Sequence, residues 1–208
     1  MEAKAIVKRL TKYRASLVTF SELGFKTIYS TNLGESIGES PEQVRKDFSR
    51  FSLKGNKKAG YEIEPLLESI NQVLGKNIIQ KIIVVGMGNI GKAFIQYKWF
   101  TTQNISIVAA FDIDPSKHNK KLGIPVLPLS ELKEIIHGYN VQIAVISAPD
   151  STAQEICDRL IAYGIRAILN FAPVVLKVPD EIIVHNLDLV NEINSMIYYV
   201  NNHKLYNL

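Results

Sequence analysis

Residues 82–93 read Ile82-Ile83-Val84-Val85-Gly86-Met87-Gly88-Asn89-Ile90-Gly91-Lys92-Ala93. Four β-branched residues in a row predict a buried strand, and the glycines after them keep the GxGxxG spacing at the start of a helix. Each glycine has a mechanical reason. Gly86 permits the tight turn, Gly88 lets the backbone approach a pyrophosphate, and Gly91 lets helix and strand pack closely. The helix N-terminus beyond them offers unpaired N–H groups to phosphate. Gly86, Met87, Gly88, Asn89, Ile90 and Gly91 are therefore candidate dinucleotide contacts.

Working outward, apolar runs at Ile105–Phe111, Ile143–Ser147, Ala167–Leu169 and Ile182–Val184 alternate with helical stretches at Ile90–Trp99, Ser130–His137 and Thr152–Tyr163. Such alternation predicts an α/β, doubly wound parallel sheet of the Rossmann kind. Asp112 ends the second strand, where a carboxylate accepts from adenine-ribose hydroxyls and repels a 2′-phosphate, which favours NAD(H) over NADP(H). Asp114, two residues on, shares its direction and stands as a second candidate behind Asp112. Ser147-Ala148-Pro149 and Asn170-Phe171-Ala172-Pro173 follow two later strands and fall on the ligand-binding edge of such a sheet. In Leu187–Val200, Leu189, Val190, Ile193, Met196, Ile197 and Val200 form one stripe, which fits either a core helix or a face that docks on another subunit.

The first 78 residues follow different rules. Ile6, Leu10, Tyr13, Leu17 and Phe20 recur at helical spacing, and a short second helix over Thr31–Ile37 is closed by Gly38. Ser40-Pro41-Glu42-Gln43 then sets a capping serine, a proline at the first helical position and a glutamine three past the cap. A third helix starts there with Val44, Phe48 and Phe51 inward and Arg45, Lys46 and Arg50 outward. Two short helices around a glycine turn, the second basic, fit a helix-turn-helix. Ser52–Tyr61, with Lys54, Lys57 and Lys58, suits a β-hairpin wing along phosphates, and Glu64–Leu74, capped by Gly75, completes a mostly helical winged helix.

Charge supports the division. Residues 1–80 hold 13 Lys and Arg against 9 Asp and Glu, whereas residues 81–208 hold 11 of each, so the whole excess of +4 lies in the first part. A basic segment joined to a neutral one fits a polyanion partner, and it also fits a solvated basic face. The one cysteine, Cys157, can form neither an intramolecular disulfide nor a metal cage. No apolar run reaches the roughly 18 residues of a membrane span and no signal-peptide core follows Met1, so a cytoplasmic protein is expected. His118, His137, His185 and His203 read as surface or satisfied histidines, and no second folded domain remains to hold a substrate. Binding without turnover is the economical reading.

With these residues in view, the chain resembles the redox-sensing transcriptional repressors called Rex. The likeness rests on Gln43-Val-Arg-Lys-Asp47, Gly86-Met-Gly-Asn-Ile-Gly91 with Ala93, Phe111-Asp-Ile-Asp-Pro115, Ile168-Leu-Asn-Phe-Ala-Pro-Val-Val175 and Asp188-Leu189. It implies a homodimer with exchanged C-terminal helices, operator DNA bound when NADH is low, and release when NADH is high. It also implies Tyr97 near a nicotinamide and Asp188 as a relay of its redox state. The chain departs from the pattern at Arg50 and Ser52, where tyrosine and glycine are expected, at Lys58-Ala59 in place of arginine-glycine, and at Ala15 in place of an arginine near Arg9 and Arg14. The expected organisation is a DNA-binding domain over residues 1–78, with Ser40, Gln43, Arg45, Lys46, Arg50, Lys54, Lys57 and Lys58 facing double-stranded DNA. An NAD(H)-binding domain over 79–186 and an exchanged dimerisation helix over 187–208 follow. A small NAD-dependent dehydrogenase and a CoA-binding scaffold are the alternatives.

Overall fold

Residues 1–78 and 79–208 form two separate units. The structure, a computed structural model, describes residues 2–53, 55, 59–119 and 123–202, with side chains from residue 5. In the first unit come α1 (Glu2–Glu22), β1 (Thr27–Ile28), α2 (Ser30–Ile37), α3 (Pro41–Arg50), β2 (Tyr61–Glu62) and α4 (Ile63–Val73). The stripe expected on α1 buries Leu10, Tyr13 and Leu17 against Leu33, Val44, Phe48, Leu66 and Ile70, while Phe20 remains partly exposed at the edge. Ser40 caps α3 by accepting from the Gln43 N–H at 3.1 Å, as its sequence predicts. The Gln43 side chain, however, does not turn back to the cap. Its Nε2 donates forward to the buried Asp47 carboxylate, a charge-assisted bond stronger than the neutral one its oxygen would accept from the Ser40 N–H.

At the other end of α3, the Leu53 N–H bonds to the Phe48 carbonyl and the Ser52 N–H to that of Ser49, the paired bonds of a Schellman stop. Ser52 therefore sits at φ +55°, the left-handed position that favours glycine. α4 ends the same way with Gly75 in that place, as expected. β2, which begins at the last residue of the expected wing, pairs antiparallel with the distant β1. Lys54, Lys57 and Lys58 lie outside the described residues.

The second unit holds β3 (Gln80–Val85), α5 (Asn89–Ile95), α6 (Trp99–Thr102), β4 (Ile105–Phe111), β5 (Val126–Leu127), α7 (Leu132–Tyr139), β6 (Ile143–Ile146), α8 (Asp150–Ala162), β7 (Ala167–Asn170), β8 (Ile183–Asn186) and α9 (Leu189–Asn201). All six strands are parallel, in the order β5-β4-β3-β6-β7-β8. That is the doubly wound order, with its reversal between β3 and β6. The apolar runs of β3 to β7 are buried on both faces, as in parallel sheets generally, whereas β8, at the edge of the sheet, leaves Ile183 exposed. β5 was not expected. Two residues are too few to show a period, and only pairing with β4 makes them a strand.

The single helix expected over Ile90–Trp99 is instead α5, a turn and α6. Residues six apart lie on different sides of a continuous helix, and the break lets Phe100 return to Phe94 with ring centroids 4.7 Å apart. α9 buries none of its residues within the chain. Leu189, Val190, Ile193, Met196, Ile197 and Val200 are each more than half exposed, so the core reading of this helix is set aside. Among the described residues no helix is long and apolar enough to cross a membrane.

Candidate functional site

The strand order opens a crevice at the carboxyl ends of β3 and β6, and the glycine loop lies there. Gly86 has φ +101°, and a Cβ built on it would lie 2.6 Å from the Ser147 carbonyl, so both backbone and space demand glycine. Gly91 has a comparable constraint, since its Cβ would collide with the Gly86 carbonyl. Nothing stands within 4 Å of a Cβ on Gly88, which leaves open the space over the turn into α5. The Ser147 hydroxyl donates to the Gly86 carbonyl at 2.7 Å and ties the loop to the end of β6.

A cleft of about 550 Å³ runs along this edge, within the range of small-molecule and cofactor sites. Of the expected cofactor residues, Gly86, Gly88, Ile90, Asp112, Asp114, Ser147, Ala148, Pro149, Phe171 and Pro173 line it. Others support the cleft from behind. Met87 and Ala172 turn into the core, and Gly91 is buried against the loop. Asn89 and Tyr97 stand outside the lining, with Tyr97 exposed and stacked edge-on against Phe100. Asn170 is fully buried. Its amide accepts from the Ala172 N–H at 3.0 Å and donates to the Val174 carbonyl at 2.8 Å. It shapes the loop after β7.

Sequence reasoning missed Ile113, Lys117, Leu129, Thr152, Glu155 and Arg159 in the lining. Thr152, Glu155 and Arg159 share one stripe of α8 at helical spacing, the signal that could have found them. Arg159 also donates to the Leu129 carbonyl at 3.2 Å.

Asp112 has a role that its strand-end position did not reveal. Its Oδ2 accepts from the Met87 N–H at 2.6 Å and from Lys117 Nζ at 2.9 Å, and its Oδ1 accepts from the Asp114 N–H at 2.8 Å. Burial alone raises its pKa, but the Asp114 N–H, the Lys117 ammonium and the Met87 N–H outweigh that and hold it below the ordinary range. The carboxylate thus fastens the glycine loop to β4, with an acceptor position to spare on Oδ1. Asp114, partly exposed on the cleft wall, caps the next turn by accepting from the Ser116 N–H.

In the first unit, α3 presents Arg45, Lys46 and Arg50 exposed on its outer side. Arg45 is oriented by Glu42, to which it donates at 2.7 Å, and by the Ser30 hydroxyl at 2.8 Å. Asp47, the one anion between Gln43 and Lys58, is buried rather than displayed. Its oxygens accept from Arg9 at 2.6 and 2.7 Å, from Gln43 at 2.8 Å and from the Tyr13 hydroxyl at 3.0 Å. Burial raises its pKa, and the bonds from Arg9, Gln43 and Tyr13 more than reverse this. Arg9 is thereby committed to α3, and Arg14 donates to Asn71 at 2.6 Å, so both arginines beside Ala15 have partners within their own unit. Asp188 accepts from the Val190 and Asn191 N–H groups at 3.0 Å each and caps α9.

Comparison with known proteins follows the same division. Residues 3–49 match the family described as putative DNA-binding protein N-terminus, and residues 77–174 match the CoA binding domain. The redox-sensing transcriptional repressor Rex of Oenococcus oeni is 38% identical over 205 residues, covering 96% of this chain and 93% of its own. RSP, a Rex-family repressor, has been solved with β-NAD⁺ and operator DNA; that structure superposes with a TM-score of 0.91 at 30% identity, covering 98% of this chain and 94% of its own. Its complex with β-NADH superposes at 0.83, again at 30% identity, covering 97% of this chain and 95% of its own. A likeness that runs through both units, from the basic helix to the glycine loop and beyond, makes this chain a member of the Rex family of redox-sensing transcriptional repressors.

Proposed function

We propose that this chain is a repressor that holds operator DNA while NADH is scarce and releases it on binding NADH. The observation that carries the reading is the presence, in one chain, of a capped helix with an outward basic side and an open glycine-lined cleft at the sheet reversal. RSP, similar over nearly the whole length, was solved with operator DNA and with both forms of the cofactor. The first residues of α3 enter the major groove, where Arg45 reads base edges and Lys46 and Arg50 meet phosphates. The wing lysines, Lys54, Lys57 and Lys58, extend the phosphate contact. Ser40 and Gln43 stand at the helix start nearest the DNA backbone.

The cleft fits a dinucleotide because the space over Gly88 is open where a pyrophosphate needs backbone N–H groups. Asp112 and Asp114 accept from the adenine ribose, Ile113 and Leu129 flank the base, and Phe171 and Pro173 border the nicotinamide half. Tyr97 attends the nicotinamide through the ring series Tyr97–Phe100–Phe94–Phe171. Asp188 relays the redox state to α9. The exposed apolar side of α9 is buried in a second copy, giving a homodimer whose two basic helices reach successive major grooves. The protein acts without turnover, in the cytoplasm, where the operator is.

One titration tests this. Affinity for a duplex selected from random sequence on the protein itself is measured alone, with NADH, and with NAD⁺. NADH should weaken binding and NAD⁺ should not. Steady consumption of NADH with a substrate would support a dehydrogenase instead. The match to the CoA binding domain favours one second reading, a CoA-responsive scaffold. In that case CoA, and not NADH, would shift DNA affinity.

A further inference from the structure

The side chain of Asn170 joins two structures that the proposed switch must connect. At the end of β7, its Oδ1 and Nδ2 close the loop 171–174, whose Phe171 and Pro173 line the cleft. The same Nδ2 lies 2.9 Å from Oδ1 of Asn186, the last residue of β8, and the Asn170 carbonyl accepts from the Leu187 N–H at 2.8 Å. The next residue is Asp188, which caps α9. Thus one buried amide holds the cleft loop with one set of bonds and the entry to α9 with another.

The amide also has more acceptors than protons. Nδ2 carries two hydrogens, yet it faces the carbonyls of Val174 (2.8 Å) and Ala172 (3.2 Å) as well as Asn186 Oδ1 (2.9 Å). Two acceptors can be well satisfied at once, and a small shift of loop 171–174 changes which two. A ligand that moves the loop therefore alters the hold on Asn186.

We propose that Asn170 and Asn186 form a positioning joint that transmits cleft occupancy to α9. The joint rests on the NADH-responsive reading above. A ligand shifts an equilibrium only through contacts that differ between its two states, and this exchange of amide partners is such a contact.

Asn186→Ala tests the joint in the full chain. Asn186 is exposed and outside the cleft lining, and the substitution removes only one acceptor of Nδ2. The readout is the ratio of DNA affinities without and with NADH, measured on the selected duplex, beside NADH affinity by calorimetry. NADH affinity without DNA should stay within roughly twofold of the parent, and the ratio should fall roughly three- to tenfold, the scale of one lost hydrogen bond. Asn186→Asp, which keeps an acceptor at the same place, should restore the ratio. An unchanged ratio in Asn186→Ala overturns the joint, as does a loss of NADH affinity large enough to account for the lower ratio. If Asn186→Ala fails to fold, Asn186→Ser takes its place with the same expectation. A parent whose DNA affinity ignores NADH refutes the repressor reading itself, and the joint with it.

Discussion

Replacing Asp47 with asparagine removes a charge and almost no volume, which makes it a clean test of what holds α3 in place. In the parent, four donors converge on two carboxylate oxygens at 2.6–3.0 Å. An asparagine offers one oxygen and, in either orientation, turns an NH₂ group toward a nitrogen of the Arg9 guanidinium, which has no acceptor to give it. Breaking a buried pair by removing one partner costs about 3–5 kcal/mol. The Asp47 side chain is 2% exposed but that of Arg9 is 20% exposed, so the freed guanidinium partly rehydrates and the cost falls near about 3 kcal/mol. For a domain of 60–100 residues each kcal/mol shifts Tm by about 4–8 °C, which lowers the midpoint of the first unit by roughly 12–24 °C.

Far-UV circular dichroism reports strongly on the helical first unit, while fluorescence of the single tryptophan, Trp99, reports on the second. Only the first signal should move. The pH dependence supplies an independent check. Asp47 has a folded pKa below its unfolded one, so its contribution is present above about pH 4 and is lost as pH falls through the folded value. The gap between parent and Asp47→Asn should therefore narrow in acid. An apolar set, Arg9→Met and Asp47→Leu with Tyr13→Phe to remove the buried hydroxyl that donates to the carboxylate, should recover much of the loss. A dichroism midpoint within about 2 °C of the parent would refute the reasoning.

Ser52→Gly relieves a left-handed residue at the end of α3 and should stabilise the first unit by about 0.5–1 kcal/mol in denaturant unfolding; destabilisation counts against the Schellman stop. Gly88→Asp has open space around its Cβ and should fold, keep DNA binding and lose NADH binding by calorimetry, because a carboxylate meets the pyrophosphate. Arg45→Ala should cost about 1–3 kcal/mol and relax sequence preference at one base pair, while Lys46→Ala weakens all sequences alike; equal gel-shift affinities for both variants and the parent exclude α3 from the groove. Truncation before Leu187 should turn a dimer into monomers or aggregates by light scattering, and a well-behaved truncated dimer would remove α9 from the interface.

Much of the fold is legible in the sequence because the signals are local. A strand followed by GxGxxG needs only neighbouring residues to define its turn, and Ser40-Pro41 marks a helix start by side-chain chemistry within four positions. The division at residue 78 was legible from charge and from a change of hydrophobic period. Pairing and burial are not local, and there the tertiary structure decided. β5 exists through its ladder to β4, and the break between α5 and α6 brings Phe100 back onto Phe94. Asp47 stands in sequence between Lys46 and Arg50 and becomes the buried anchor of α3 through Arg9, 38 positions away. Asp112 looked like a ribose acceptor and proved also to fasten the glycine loop, since only the fold brings the Met87 N–H and Lys117 to the same oxygen. Asn170 looked like a cofactor contact and is buried between the cleft loop and β8. A polar residue's identity shows what it can bond. Which partner it finds depends on which distant segments the sheet brings beside it.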